Sequence, residues 1–471
     1  MLPHCLKGHN HKAVPLYIPA TKRSTEMKRE SNVLSADFFR EYPRISHGKG
    51  IYMYTEAGEE IIDAASGPVL VSLGHGIREI AEAMKEQAEK LAYAHRDDCV
   101  TPILEEACAK VSQASNFDMA KVFYVAGGSE ANEIAIKLAR SYHLFRGNER
   151  KYKVISRWQS YHGSSMGALS ISGFTKRRTG YEPYLSEFGH IPPAYCYRCW
   201  YGKEAGKCSL ECAQALENEI LCQGPETVSA FIAEPISGMS LCAAEPAEGY
   251  FKKIREICDK YDVLLIMDEV MTGIGRTGKN FAYMHYGVVP DMVSMGKALS
   301  GGYFPLGAVA CTGTMYKSMY ENNGSFPPGY SWSGNPLGAA VAVKTFEYLE
   351  KYELVEQSRK MGDYLKEQLE KLKEHPTVGD VRGRGLMVGI ELVRDKETRA
   401  TFRPEVKYSA QMNREALNRN MLIESSSGCS KGQSGDTLMI SPAFVITKEQ
   451  VDTVVERLDD VITAVEKKNG F

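Results

Sequence analysis

Lys297 stands in company that lysines avoid. Met292-Val293-Ser294-Met295-Gly296 precede it and Ala298-Leu299-Ser300-Gly301-Gly302 follow it, and charged side chains are seldom found among neighbours so small and apolar. Two readings fit. The side chain snorkels its ammonium to solvent from a partly buried strand, or it is a desolvated amine whose lowered pKa suits it to attack an aldehyde and form an imine. Upstream, the β-rich run 263–267 ends in Asp268-Glu269-Val270. An acid at the carboxyl end of a buried strand stands where open α/β sheets bind ligands, although the same carboxylate would also serve to cap the next segment. Farther upstream, Ala126-Gly127-Gly128-Ser129-Glu130 follows the strand-like run 121–125 and opens a helical pattern carried by Ala131, Ile134, Ala135 and Leu138. Glycines at the turn and Ser129 at the N-cap would leave backbone N–H groups free for an anion, aided by the helix dipole. Taken alone, glycines before a helix more often mark just a tight turn.

Together, an anion cradle, an acid at a strand end and a lysine in an apolar loop are the three parts that bind pyridoxal 5'-phosphate. The cradle takes the phosphate, the carboxylate keeps the pyridine nitrogen protonated, and the lysine forms a Schiff base.

The elements that must position these residues can be read from periodicity. Ile80, Ala81, Met84, Ala88 and Leu91 recur at helical spacing and predict a surface-packed helix over 77–94. Runs 121–125, 154–156, 231–233 and 263–267 alternate with helical patterns, the rhythm of buried parallel strands with helical crossovers. The last third changes character. A long charged helix over 354–375 carries Met361, Leu365, Leu369 and Leu372 on one stripe. A strand candidate at 386–392 follows, and the closing helix opens with the capping-box pattern Thr447-x-x-Gln450. The division expected is an N-terminal arm with part of a small domain (1–75), a large domain (76–339) and a C-terminal small α+β domain (340–471). The first thirty or so residues lack periodicity and read as arm or loop.

A chain of 471 residues exceeds one ordinary core, in keeping with two domains. The formal charge of −2 and the scattering of 57 basic among 59 acidic residues exclude a nucleic-acid footprint. No apolar run is long enough to span a bilayer and no secretory leader is visible, so a soluble, cytoplasmic protein acting on small molecules is expected. In that setting the 12 cysteines read as reduced thiols or metal ligands. Cys196, Cys199, Cys208 and Cys212 form a C-x₂-C-x₈-C-x₃-C pattern that would suit a structural zinc. It lacks a clean second C-x₂-C pair, which favours packing thiols and no metal.

From Tyr42 to Val465 the chain also resembles the class III (ω-) aminotransferases of the fold-type I pyridoxal-phosphate enzymes. The motifs that carry the likeness are Gly128-Ser129-Glu130-Ala131-Asn132-Glu133, Tyr161-His162-Gly163, Ala233-Glu234-Pro235-Ile236, Asp268-Glu269-Val270, Gly275-Arg276-Thr277-Gly278, Lys297 and Ser333-Gly334-Asn335-Pro336. The cysteine insertion resembles that of taurine–pyruvate types. The resemblance implies an α/β fold whose large domain has a mainly parallel seven-stranded sheet flanked by helices, with a smaller α+β domain built from both ends of the chain. It implies Lys297 and Asp268 as catalytic. Gly128 and Ser129 would hold the phosphate, Tyr161 would stack on one face of the pyridine ring, and Val270 would pack on the other. His162 and Glu234 would lie near the cofactor, and Ser331 would come from a neighbouring subunit, making the enzyme a homodimer with shared active sites, or a pair of such dimers. An amino group would pass from an ω-amino acid or amine to a keto acid, pyruvate or 2-oxoglutarate, by ping-pong kinetics. Racemisation, epimerisation and elimination begin from the same residues, and a non-catalytic cofactor-binding protein is the remaining alternative.

Substrate residues are less plain. The mobile arginine that many ω-aminotransferases carry near Ser425 or Ser426 is absent here, which leaves Arg276 or Arg384, or hydroxyls such as that of Ser425, to meet the keto acid's carboxylate. Val69 stands about where amine-acting relatives hold tryptophan, so either the pocket is wider or its loop repacks.

Overall fold

A computed structural model describes residues 32–37, 40–326 and 329–471. The arm expected over the first thirty residues lies outside the described residues. The chain enters through three short antiparallel strands, β1 (Ile45–Lys49), β2 (Tyr52–Thr55) and β3 (Glu60–Asp63). The large sheet follows, from β4 (Lys121–Val125), β5 (Lys153–Arg157), β6 (Gly189–Ile191), β7 (Val228–Ala233), β8 (Leu264–Asp268), β9 (Met292–Met295) and β10 (Gly307–Cys311). Its seven strands lie in the order β4-β10-β9-β8-β7-β5-β6. Only β10 runs antiparallel to its neighbours; the rest are parallel. The mainly parallel seven-stranded sheet expected from the sequence is therefore present.

The central strands β7, β8, β9 and β10 are buried along their whole length, as strands covered on both faces must be. Side chains alternate between two cores. Ala230, Ile232, Leu264 and Ile266 face the helix Gly128–Phe145 through its stripe of Ala131, Ile134, Ala135 and Leu138. Phe231, Ala233, Leu265 and Met267 face the other way, toward the helix Tyr250–Lys260 with Tyr250, Phe251 and Ile254.

The register sets the site. Gly307 pairs with Val125, Ala308 with Met295, and Ser294 with Asp268. The carboxyl ends of β4, β8 and β9 thus lie along one edge of the sheet, and the turn after β4, Asp268 and Lys297 all leave from it.

The two ends of the chain meet in smaller sheets. β13 (Met421–Leu422) pairs in parallel with β3, while β11 (Val378–Gly383), β12 (Val388–Leu392), β14 (Glu424–Ser430) and β15 (Ser434–Ile440) form an antiparallel sheet in the order β11-β12-β15-β14. The strand expected from residue 386 starts at Val388, because the Arg384 N–H closes a turn onto the Met387 carbonyl (3.2 Å). The helix Leu354–Glu370 buries Met361, Leu365 and Leu369, and Leu372 continues the stripe in a 3₁₀ turn. The closing helix Lys448–Asn469 has the expected capping box: Thr447 Oγ1 accepts from the Gln450 N–H (3.3 Å), and the Thr447 N–H donates to Gln450 Oε1 (3.0 Å). The helix of the 77–94 run spans Arg78–Lys90, and only Ile80 of its apolar stripe is fully buried.

One contact ties the C-terminal helices to the large sheet's loops. A Cβ on Gly362 would drive into the backbone of Gly385, which in turn abuts Arg276 and Thr277. Gly362→Ala should therefore lower stability by about 1–3 kcal/mol, the cost of overpacking, although an exposed helical site would gain about 1 kcal/mol from the same change. Chemical denaturation with an unchanged slope checks this.

Candidate active site

The edge where the strands end opens into a cavity of about 540 Å³, lined by Gly127, Gly128, Tyr161, Asp268, Val270 and Lys297 among others. At its floor Asp268 is buried and held by three donors. Oδ2 accepts from Asn132 Nδ2 (2.7 Å) and pairs with His162 Nδ1 (2.8 Å), while Oδ1 accepts from the Val270 N–H (3.0 Å). Asn132 is itself fixed, giving its second proton to the His162 carbonyl (2.6 Å) and accepting from Ser294 Oγ (2.6 Å). Asp268 is thus both the strand-end acid and a cap for the Val270 turn. The two readings of the sequence coexist.

The cradle differs from expectation in one detail. The helix begins at Gly128 with Gly127 as its N-cap, so Ser129 lies within the first turn. Glu130 Oε2 reaches back to the Ala126 N–H (2.9 Å), which leaves Ser129 Oγ free to accept from the Ser164 N–H (3.1 Å). The first-turn N–H groups have no intrahelical acceptor and face the cavity end of the helix dipole. A Cβ on Gly128 would sit 2.6 Å from Val270 Cγ1. Backbone alone fits there.

Tyr161 lines the cavity with its ring edge-on to Phe174 and its hydroxyl on Ser164 Oγ (2.7 Å). Glu234 is buried beneath it, accepting from the Tyr161 N–H (3.2 Å) and the Gly238 N–H (2.7 Å), and burial raises its pKa. Lys297 adopts a left-handed backbone (φ 43°), strain of the kind found where a side chain must be aimed. Its Nζ donates to the Pro68 carbonyl (2.5 Å). Burial lowers its pKa to about 8, against the pull of Glu424 and Asp268.

Other sequence candidates lie off the cavity. Arg276 is fully buried and binds the carbonyls of Leu386, Ser441 and Pro442, so its guanidinium is occupied in joining segments, and burial lowers its pKa to about 9. Arg384 pairs with Glu245 (2.9 Å). Val69 is packed with Ile236, Met271, Met387 and Met439, while its neighbours Pro68 and Leu70 take the cavity wall. Strand alternation does the same on β14, where Glu424 lines the cavity and Ser425 does not. Ser331 is exposed and away from this protomer's cavity. Cys196, Cys199, Cys208 and Cys212 are free, part-buried thiols. Burial and then the three other thiols push Cys212 up to about 11. Among the described residues no group of three His, Cys, Asp or Glu side chains is placed to hold a metal ion.

Asn132, Arg177 and Glu424 are among the wall residues that escaped the sequence reading. Asn132 had a signal, being an amide four positions after Gly128 inside an apolar helical stripe. Arg177 and Glu424 had none, Arg177 lying in a run of basic residues and Glu424 at the junction of an apolar and a serine-rich stretch.

The donors present fit pyridoxal phosphate. The side-chain-free cradle at Gly128 suits a phosphate, the tethered Asp268 suits a ring N–H, and the desolvated Lys297 amine suits an aldehyde. The family model for class-III aminotransferases matches residues 40–462. The chain belongs to that family, and it is a pyridoxal-phosphate-dependent transaminase of the fold-type I architecture. It is 34% identical to an uncharacterized aminotransferase, YodT, of Bacillus subtilis, over 93% of this chain and 98% of the relative. It is 33% identical to a diaminobutyrate–2-oxoglutarate transaminase of Halomonas elongata (89% and 90%) and 34% to a taurine–pyruvate aminotransferase of Bilophila wadsworthia (90% and 93%). Among solved structures, an (S)-enantioselective ω-transaminase from Thermomicrobium roseum superposes with a TM-score of 0.84 at 33% identity, covering 90% of this chain and 93% of its own. Among the described residues no helix is long and apolar enough to cross a membrane.

With a pKa near 8, the Lys297 amine of cofactor-free protein should be acylated by a trace amine-reactive reagent at a rate that rises with pH up to about 8 and then levels off. An ordinary lysine, titrating at about 10.4, would keep gaining beyond pH 10. Peptide mapping by mass spectrometry reads the rate at Lys297 alone.

Proposed function

We propose that Lys297 both anchors the cofactor and moves the substrate's proton, with an amine or ω-amino acid as donor and pyruvate or 2-oxoglutarate as acceptor. The observation that carries this reading is the convergence of a desolvated lysine and a triply held aspartate on one cavity. When bound, pyridoxal phosphate supplies a protonated ring that draws electrons from the carbon bearing the amine. Gly128 and Ser129 hold its phosphate through first-turn N–H groups. Tyr161 and Val270, which line the cavity, would pack against the cofactor's ring, and Asp268 would keep the ring nitrogen protonated, with His162 and Asn132 fixing the carboxylate. With the cofactor bound, the Lys297 amine would take the proton from the donor carbon as general base and, as general acid, deliver it to the cofactor's former aldehyde carbon and not back to the donor, a role its lowered pKa suits. Glu234 supports the Tyr161 loop from below.

Among the described residues, Arg177 is the one arginine on the cavity wall. We assign it the keto acid's carboxylate, the duty sequence reasoning gave to Arg276 or Arg384. Ser331, exposed on its own protomer, reaches the phosphate of a second copy in a homodimer. We take residues 76–339 as the large domain, since all seven strands of the main sheet fall within them, and the described residues before and after them as the rest.

The test is the half-reaction. With a donor and no keto acid, one equivalent of carbonyl product per subunit should form and then stop; inversion of the donor without carbonyl release would defeat transamination. Lys297→Ala should lower the rate by about 10²–10⁴-fold. Arg177→Ala should raise the keto acid's KM by about 10- to 100-fold, the worth of a hydrogen bond to a charged group, while leaving the donor half-reaction rate far less affected.

A further inference from the structure

Among the described residues, three acids line the cavity, Glu234, Asp268 and Glu424. The first two are provided for: Glu234 accepts two backbone N–H groups and Asp268 three donors. Glu424 is different. It is part-buried at the start of β14, and among the described residues no side chain hydrogen-bonds to it or forms an ion pair with it. The cations that face it are Lys297 and Arg177, and neither is bonded to it. Lys297 turns its Nζ onto the Pro68 carbonyl and is the group that reacts, so it is no standing counter-charge. Arg177, on the short helix Thr175–Arg178 that packs near β14, is exposed and likewise has no side-chain partner. The Glu424 carboxylate has the Ser425 N–H beside it but no ion-pair partner, and a carboxylate so placed in a part-buried wall is costly unless a ligand supplies the missing cation.

We infer that Glu424 binds a second cationic nitrogen on the amine donor, which makes the donor an aliphatic diamine or a diamino acid. This rests on the transaminase reading above. The reacting amine goes to Lys297 at the floor while the far ammonium meets Glu424 on the wall. Burial, which raises the proton affinity of Glu424, is offset by such a neighbour. The arrangement also suits a cavity that takes two substrates in turn. A donor with a distal positive charge uses Glu424, and an acceptor with a carboxylate uses Arg177, so each charge stands ready without an intramolecular ion pair to break.

The experiment compares amines of one chain length. Loaded enzyme without keto acid is titrated with 1,5-diaminopentane, lysine and pentylamine, and carbonyl product is measured. The half-saturating concentration for 1,5-diaminopentane should lie about 10- to 100-fold below that for pentylamine, and in Glu424→Gln the two should converge. The position of lysine between them tells a diamine from a diamino acid. Glu424→Lys should shift preference toward 5-aminopentanoate. A second readout needs no turnover: pentylguanidine, a cation without a reactive amine, should bind calorimetrically about tenfold more weakly to Glu424→Gln than to the native enzyme. Equal saturation by the two amines in the native enzyme, or a preference that survives Glu424→Gln, overturns the inference. If no amine yields carbonyl product the transaminase reading falls instead, and pentylguanidine binding unchanged by Glu424→Gln then overturns the role of Glu424 as well.

Discussion

Three segments far apart in the chain meet on the carboxylate of Asp268. Strand β8 delivers it, the helix after β4 sends Asn132, and the loop after β5 sends His162, at 2.7 and 2.8 Å. A buried carboxylate without donors would be expensive, so the register of the sheet and the angle of the helix Gly128–Phe145 are both committed to supplying them. Ser294 on β9 extends the network by fixing Asn132. Four neighbouring elements of the large sheet are therefore locked around one acidic oxygen, and the cradle and the lysine inherit their positions from that lock. Gly128 lies one helical turn before Asn132, and Lys297 three residues after Ser294.

Much of this was legible in the sequence because it rests on periodicity and on residues out of place. Buried parallel strands announce themselves as apolar runs, and β7, β8 and the strand before the cradle were found within a few residues. Asp268 and Lys297 were visible because a charge in apolar company requires a reason. The Thr447 capping box is a purely local pattern and appears as read. What was not legible depends on distant pairing. β14 reads as serines and glycines and becomes a strand only because β15 lies beside it. Which of Glu424 and Ser425 faces the cavity is decided by that pairing, since a shift of one residue would exchange them.

Arg276 shows the same limit from the other side. Its motif marks it as special, and a cation near a candidate site invites a substrate role. The structure gives its guanidinium three carbonyls, from Leu386, Ser441 and Pro442, and Ser72 besides. Hydrogen bonds to main-chain carbonyls satisfy donors without neutralising the charge, which is why burial draws its pKa down to about 9. An arginine so engaged cannot turn to a ligand without leaving buried carbonyls bare. Its work is to join the loop after β8 to the C-terminal segment, and so to hold the two walls of the cavity in register.

The pairing of charges then separates framework from contact. Asp268, Glu234 and the terminal nitrogens of Arg276 are buried and engaged, and moving any of them would strand a polar group. Arg177 and Glu424 line the same cavity and stand within electrostatic reach of each other, and neither has a side-chain partner, Glu424 having only the Ser425 N–H beside it. Charges held by the framework cannot respond to which molecule enters; charges left unpaired can, and only they change their solvation when a substrate arrives. Within this family fold, discrimination among amines and acids therefore falls to residues the fold does not need, which is also why motifs shared along the whole chain identify the chemistry and say nothing of the donor.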